Sequence, residues 1–294
     1  MKSLKILWQF SRPHTIVGST LSILSIFAVA LGTSISVYIS PMLLPLSLIS
    51  ALTCNIYITG LNQWSDVAVD KINKPWLPIA AGTLSKQNAL RIIITSGILS
   101  LIAAACLSWP FFCLILLIIA IGTAYSLPPL NLKRNHIYAA AAISVVRGLL
   151  VNVGFYMHFR YEIMSDWRNI IAILPLTIFV TAFSLGIAWF KDIPDTQGDA
   201  MYQFGTLAVK NGRQQAFIQG AIVVSIAYAF IIYAAIIGQL PSMLYYVCTH
   251  VLALSIFLSQ ARRLNVNDNT MVKRFYMFFW GLFFLEYLFL LGSI

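Results

Sequence analysis

Charge is what this sequence has least of. Of 294 residues only 10% are Asp, Glu, Lys or Arg, 60% are apolar, and the mean hydropathy is +0.84. A soluble domain carries about a quarter charged residues. Too few polar side chains exist here to cover a water-facing surface, which excludes a soluble enzyme. Acids are scarcest, nine against 19 Lys and Arg. The four cysteines, Cys54, Cys106, Cys113 and Cys248, fall in apolar runs with no CxxC spacing and no pairing with histidine. They are expected to be small core residues and leave the redox compartment open. His136, His158 and His250 form no metal pattern such as HExxH. No low-complexity segment or separate soluble domain is visible, so residues 1–294 are expected to form a single domain.

What remains is a polytopic, all-α membrane protein. Apolar runs predict helices at about 14–36, 41–61, 88–108, 110–127, 136–158, 170–190, 214–237, 241–260 and 274–292. At roughly 20 residues per span, nine spans take about 180 residues and leave short loops. Pro41, Pro110 and Pro241 stand where helices begin, a position proline tolerates. Ala28-Val29-Ala30 has the look of a signal-peptidase site, but the apolar stretch before it is long and many spans follow, so a retained first helix is expected.

The net charge of +10 would suit nucleic acid in a soluble protein; here its distribution argues otherwise. Lys2, Lys5 and Arg12 precede the first span, and Lys71, Lys74, Lys86 and Arg91 follow the second. Lys133 and Arg134, then Lys191, Lys210 and Arg213, then Arg262, Arg263, Lys273 and Arg274 lie at later alternate connections. That puts 16 cations on one side, against Arg160 and Arg168 on the other, with Arg147 inside the fifth helix. The positive-inside rule then predicts a cytoplasmic N-terminus and an external C-terminus, with lipid rather than nucleic acid as the partner.

Five of the nine acids fall in two clusters. Asn62, Asp66 and Asp70 repeat every four residues and share one helical face within about 80°. Asp192, Asp195 and Asp199 lie within about 60° of one another if helical, with Pro194 marking a helix start or kink. The clusters follow the second and sixth helices, which suggests two four-helix halves plus a ninth helix. Crowded carboxylates raise one another's pKa unless a cation intervenes. Oxygen donors without His or Cys select a hard ion, and Mg²⁺ is usually held by one or two carboxylates together with substrate phosphates. Two facing acidic stripes would make a diphosphate clamp.

Both clusters face the cytoplasmic membrane surface, a location that suits a charged head on a greasy tail, as in a prenyl diphosphate. The allylic cation formed when diphosphate leaves needs a dry, π-rich pocket. Tyr57, Trp64, Trp189 and Phe190 lie close enough in sequence to supply it, although for each of them membrane packing or an interfacial anchor is the stronger reading. The Gln203–Gly212 loop is placed to cap such a cavity. A transporter would carry its acids within spans rather than clustered at helix ends on one side, so an enzyme is the stronger reading.

Asn62-x3-Asp66-x3-Asp70 with Asp192-x2-Asp195-x3-Asp199 resembles the UbiA superfamily of intramembrane aromatic prenyltransferases. The stretches SRPHTIVGSTLS (11–22), GLNQWSDVAVDKINKPWLPIAAG (60–82), GTAYSLPPLNLKR (122–134) and FKDIPDTQGD (190–199) narrow the likeness to homogentisate prenyltransferases, in particular those of tocopherol synthesis that use phytyl. The resemblance runs from about residue 8 to 290. Leu77-Pro78 stands where many relatives have Arg–Pro, a departure that homogentisate-type members share.

The resemblance implies nine transmembrane helices around a central cavity and Mg²⁺-dependent transfer of a prenyl group to an aromatic acid. It assigns Asp66, Asp70, Asp192, Asp195 and Asp199 to two Mg²⁺ ions and the diphosphate, and places Asn62 near the metal or the acceptor ring. Tyr125 lies beside the allylic carbon. Lys133, Arg134 and Lys191 become diphosphate cations, and Lys74 replaces the missing Arg. An anionic acceptor needs a cation, for which Arg147 and Arg12 are candidates, with His14 as a donor. Arg12 also fits the ordinary positive-inside bias, and His14 a helix start. The implied product is a prenylated methylquinol formed with loss of CO₂. Alternatives are 4-hydroxybenzoate, naphthoate or chlorophyllide acceptors and geranylgeranyl or longer donors. The expected host is a bacterial membrane of cyanobacterial type.

Overall fold

The computed structural model describes residues 2–32, 39–166 and 170–292. Arg168 and residues 33–36 of the expected first helix lie outside them. Among the described residues, nine helices are long and apolar enough to span a bilayer. They are α1 (Pro13–Leu31), α2 (Leu43–Ser65), α3 (Lys86–Ala105), α4 (Trp109–Ser126), α5 (His136–Met164), α6 (Ile170–Asp192), α7 (Arg213–Ile236), α8 (Met243–Arg263) and α9 (Asn269–Leu291). Each overlaps an expected span. The largest extension is in α5, which continues six residues past 158 to Met164.

Local chemistry sets the helix starts. Pro13, Pro110 and Pro175 occupy the first turns of α1, α4 and α6, where a missing N–H costs nothing. Side-chain oxygens of Ser85, Asn135 and Asp268 accept from the first free N–H groups of α3, α5 and α9. Pro41 and Pro241 stand two residues ahead of α2 and α8.

Packing follows membrane rules. Ile94, Ile98 and Ile102 on α3 are each about half exposed and form a stripe along the helix, an apolar face that belongs to lipid. Helices meet through small residues and short polar links. Ser50 of α2 and Ser100 of α3 donate to each other's backbone carbonyls at 3.0 and 2.8 Å. Gly122 of α4 rests against Ile58 of α2, and Gly220 of α7 against Phe190 of α6. Helices α2–α4 pack mutually, α5–α8 pack in sequence, α1 packs on α2 and α5, and α9 touches α1, α6 and α8, closing the two halves around an interior cavity.

One expectation about side chains is corrected. Only Cys54 is buried; Cys106, Cys113 and Cys248 are exposed on the outside of the bundle. An apolar run does not separate core from lipid face, because both are apolar. The four aromatics near the clusters take the packing role rather than the pocket role, and none of them lines either interior cavity. Tyr57 shares a 2.8 Å hydrogen bond with Thr123, Trp64 lies under the Lys86 ammonium, and Phe190 stacks among Phe217, Phe275 and Phe279. Trp189 packs half-buried against the core.

Gly60 offers a test of this packing. A Cβ there would stand 2.7 Å from the Phe10 ring and 2.9 Å from Ile93, whereas one on Gly281 would meet nothing within 4 Å. Gly60→Val is expected to destabilise the detergent-solubilised protein by about 1–3 kcal/mol, read as a lower Tm, and Gly281→Ala to leave Tm unchanged or raised.

Candidate active site

The connections after α2, α4 and α6 meet at one end of the bundle. After α2 the chain turns at Asp66 and continues as the short helix Val67–Asn73. The turn preserves the helical ladder: Asp66 N–H donates to Asn62 O at 3.0 Å and Asp70 N–H to Asp66 O at 2.7 Å. The shared face expected for 62, 66 and 70 therefore survives. After α6, Asp195 stands at the N-cap position of the short helix Thr196–Met201 without a side-chain capping bond, and Asp199 N–H donates to Asp195 O at 3.1 Å. Pro194 sits at the break between the two helices.

Asn73 joins the two clusters. Its Nδ2 donates to Asp199 Oδ1 at 3.2 Å, and its Oδ1 accepts from Gly198 N–H at 2.9 Å. The sequence held a signal for it, since 73 is eleven residues, or three helical turns, beyond Asn62. The connection after α4 is tied in as well, with Gly205 N–H donating to Arg134 O at 2.8 Å and His136 N–H to Gly205 O at 3.1 Å.

All five clustered acids line one cavity of about 380 Å³. Arg12, Lys74, Lys133, Lys191 and Lys273 line it with them. Lys133 Nζ lies 2.6 Å from Asp66 Oδ1 and also donates to Ser65 Oγ at 2.6 Å. Lys74 pairs with Asp195, and Lys191 Nζ lies 3.4 Å from Asp192 Oδ1. Asn62 Nδ2 donates to Asp66 Oδ2 at 3.0 Å. Burial pulls the Lys74 ammonium down, but Asp195 and Asp70 outweigh it and hold it above the usual lysine range. Lys133 falls below that range, because burial prevails over the pull of Asp66.

Asp70 and Asp199 have no lysine of their own. Asp70 Oδ2 is buried with no hydrogen-bond partner, and burial pushes its carboxyl up to about 6 against the pull of Lys74 and Arg12. Asp199 is pushed up to about 8 by burial, with Asp192 and Asp195 adding to it. Asp195 Oδ1 is likewise buried without a partner. No three His, Cys, Asp or Glu among the described residues are grouped to hold a metal ion by themselves. Each cluster thus offers an orphaned carboxylate oxygen, Asp70 Oδ2 in the first and Asp195 Oδ1 in the second. That fits a hard divalent ion completed by ligand oxygens better than a closed protein cage.

A second cavity of about 240 Å³ runs from this one into the bundle. Arg12, His14, Asn62, Tyr125, Lys191 and Tyr276 line both. Its walls are mostly apolar, with Ile58, Ile115, Ile118, Ile187, Phe155 and Phe283 among them. At the junction Lys191 Nζ donates to Tyr125 Oη at 2.8 Å. The Arg147 guanidinium lies 4.5 Å from the Trp280 ring centroid and 5.4 Å from Phe283, and no carboxylate pairs with it among the described residues. The His14 ring packs edge-on against Trp280 at 4.9 Å. Arg12 Nε and Trp280 Nε1 are buried donors without acceptors.

Of the residues that the resemblance assigns to the metal ions and substrates, Arg134 alone stays out of both cavities. It is exposed, its guanidinium 5.4 Å from the Phe204 ring. Phe204 and Thr206, from the connection expected to cap the site, do line the acidic cavity. Asn73, Lys273, Tyr276 and Trp280 were not anticipated; Trp280 and Tyr276 lie in the longest aromatic run, where no spacing distinguishes them.

The UbiA prenyltransferase family model matches residues 20–282. Homogentisate phytyltransferase of Synechocystis sp. is 37% identical over 295 residues, covering 98% of this chain and 95% of that protein. The chloroplastic homogentisate solanesyltransferase of Arabidopsis thaliana is 37% identical over 293 residues, covering 96% and 74%. Among solved structures, a UbiA homolog from Archaeoglobus fulgidus bound to GPP and Mg²⁺ superimposes with a TM-score of 0.67 at 17% identity, covering 98% and 99%. At that identity the likeness concerns the fold.

The lysine pairing has a measurable consequence. A carboxyl whose folded-state pKa is raised loses stability as pH climbs from the ordinary carboxylate range to the raised value. In EDTA, the gain in Tm of Asp199→Asn over wild type is expected to be larger at pH 9 than at pH 5. Asp195→Asn, which strips Lys74 of its partner, is expected to lower Tm at pH 9.

Proposed function

The chain belongs to the UbiA prenyltransferase family, and from that premise we propose that it transfers a prenyl group, phytyl in first place, from its diphosphate to homogentisate. The reading is carried by one observation: a cavity lined by five acids and five cations shares its wall with an apolar one that holds a half-buried arginine, Arg147, with no carboxylate partner among the described residues. The relatives named for homogentisate support the acceptor. The solanesyl relative shows that similar sequences serve a far longer donor, so phytyl rests on likeness to the Synechocystis protein.

Charge sorts the substrates. The diphosphate belongs in the acidic cavity, where Lys74, Lys133 and Lys191 can exchange carboxylate partners for phosphate oxygens and Lys273 can turn to them from the Trp76 ring. Asp66 and Asp70 of the first cluster and Asp192, Asp195 and Asp199 of the second would hold the Mg²⁺, with two ions, one per cluster, the reading that their pairing supports. When bound, the ions neutralise the charge that develops on the departing diphosphate. Asn62 orients Asp66, and the prenyl tail follows the apolar wall formed by Ile58, Ile115 and Ile118.

The reaction is an electrophilic aromatic substitution. The bond between the allylic carbon and diphosphate breaks, its electron pair leaving with the diphosphate. A ring carbon of the acceptor attacks the allylic cation and loses its proton, and the acetate arm loses CO₂ and takes up a proton to become methyl. Tyr125 holds its ring at the junction, where it faces developing positive charge, while the apolar walls exclude water. Arg147 binds the acceptor carboxylate with help from Arg12, His14 and Trp280 Nε1. The whole chain acts as one domain, with the N-terminus and active-site connections on the cytoplasmic side of a bacterial membrane, where 16 of the 19 Lys and Arg fall.

The direct test supplies purified protein with Mg²⁺, phytyl diphosphate and ring-labelled homogentisate, beside 4-hydroxybenzoate. The expected product is a decarboxylated phytylquinol by mass, lost with EDTA; reaction with 4-hydroxybenzoate alone would overturn the acceptor. Asp66→Ala and Asp195→Ala should abolish turnover in folded protein, and full activity in either would remove the diphosphate clamp. Arg147→Leu should raise the acceptor KM about 30-fold or more, as expected when a buried charged contact is cut. An equal rise in donor KM would move Arg147 to the diphosphate.

A further inference from the structure

Helix α5 changes form in its middle. From Val145 to Gly154 the backbone takes the wider π winding, ten residues long, before α-helix resumes at Phe155. Such windings are rare and short, and they cluster at functional sites because they redirect the side chains they carry. Arg147 lies in this one.

The π segment is held by an unusual set of buried polar contacts. Asn152, wholly buried, donates from Nδ2 to Gly148 O at 2.6 Å and to Arg147 O at 3.2 Å. Its Oδ1 accepts from Tyr287 Oη of α9 at 2.9 Å. Tyr287 is also wholly buried, and its backbone carbonyl accepts from Ser25 Oγ of α1 at 2.9 Å. A hydrogen-bonded line therefore runs from α1 through α9 to the carbonyl of Arg147 itself. On the opposite flank Gly148 presses on Thr181 of α6, where any Cβ would collide with the threonine side chain. The segment is wedged between two helices and pinned by one amide.

Packing alone does not call for this arrangement. Leu at 152 and Phe at 287 would fill similar space in a bilayer without a polar group to satisfy. What the polar line adds is a fixed direction for the segment whose arginine meets Trp280 and Phe283 in the inner cavity. We propose that Asn152 and Tyr287 are positioning residues for Arg147, setting where its guanidinium meets the acceptor carboxylate. The inference rests on the reading of Arg147 given above.

The test is a kinetic cycle in full-length protein with homogentisate and phytyl diphosphate. Asn152→Leu and Tyr287→Phe should each raise the acceptor KM roughly 2- to 10-fold, the scale of one lost hydrogen bond. The donor KM should change less than about twofold, and both effects should vanish in an Arg147→Leu background, since residues acting through one group are not additive. Tyr287→Phe removes a single oxygen and keeps the test open if Asn152→Leu does not fold. Equal rises in both KM values, or the same loss with Arg147 already removed, would make the pair structural and overturn the inference while leaving Arg147 in place. An unchanged acceptor KM in Arg147→Leu itself would instead overturn the role of Arg147, and the positioning role with it.

Discussion

Five carboxylates cannot share one buried cavity unless positive charge is brought to them. Here it arrives in two forms. Three lysines reach Asp66, Asp192 and Asp195; Lys191 pairs with its own neighbour, while the other two pairs join segments far apart in sequence. Lys74 spans from the first cluster to the second, and Lys133 returns from the end of α4 to the end of α2. The deficit left at Asp70 and Asp199 is one charge per cluster. The fold is therefore complete enough to hold its shape and incomplete where a ligand must complete it.

The second constraint is that this polar cavity opens onto an apolar one through shared walls. Lys191 and Tyr125 stand at the junction, with ammonium and phenol hydrogen-bonded. Any substrate that fills both cavities must change from anionic to apolar within a few ångströms, as an allylic diphosphate does. An acceptor must enter the apolar side carrying a charge that Arg147 can match. Stacked on Trp280 and Phe283, the guanidinium remains half-buried without a carboxylate of its own among the described residues because the ring faces stabilise it in part. A local acid would have satisfied the arginine more fully and closed it to substrate.

The nine spans, the two clusters and the side of the bundle they share were legible in the sequence because acids are so scarce. In a chain with nine acids, three at helical spacing are hard to produce by composition alone. The lysine pairings were legible only as proximity, since Lys74, Lys133 and Arg134 had equal claims and the structure turns Arg134 outward. Asn73 continues the stripe of Asn62, Asp66 and Asp70 and could have been found by extending the same periodicity. Trp280 and the inner wall could not. In a soluble protein an apolar face points inward, but in a bilayer both faces are apolar, so periodicity does not separate Cys54 from Cys113 or Trp280 from Phe278. The π winding was hidden for a related reason, because a change of register in an apolar helix leaves no mark on hydropathy.

Polar groups inside the spans fall into two kinds, and their neighbours distinguish them. His250 Nε2 lies 3.1 Å from Glu286 Oε1, both buried, and neither lines a cavity. That pair ties α8 to α9 on the closing side of the ring, where a buried ionisable pair specifies which helix meets which. Asn152 and Tyr287 also bridge helices, but they end on the carbonyls of a segment that faces the cavity. A fastening between helices needs only complementary partners. Aiming a side chain at a ligand also needs the backbone that carries it to be fixed in register, and a π winding without an internal brace has weaker hydrogen bonds to resist relaxation to the α form. The brace and the winding are thus two parts of one device: the winding turns Arg147 toward the cavity, and Asn152 keeps it turned.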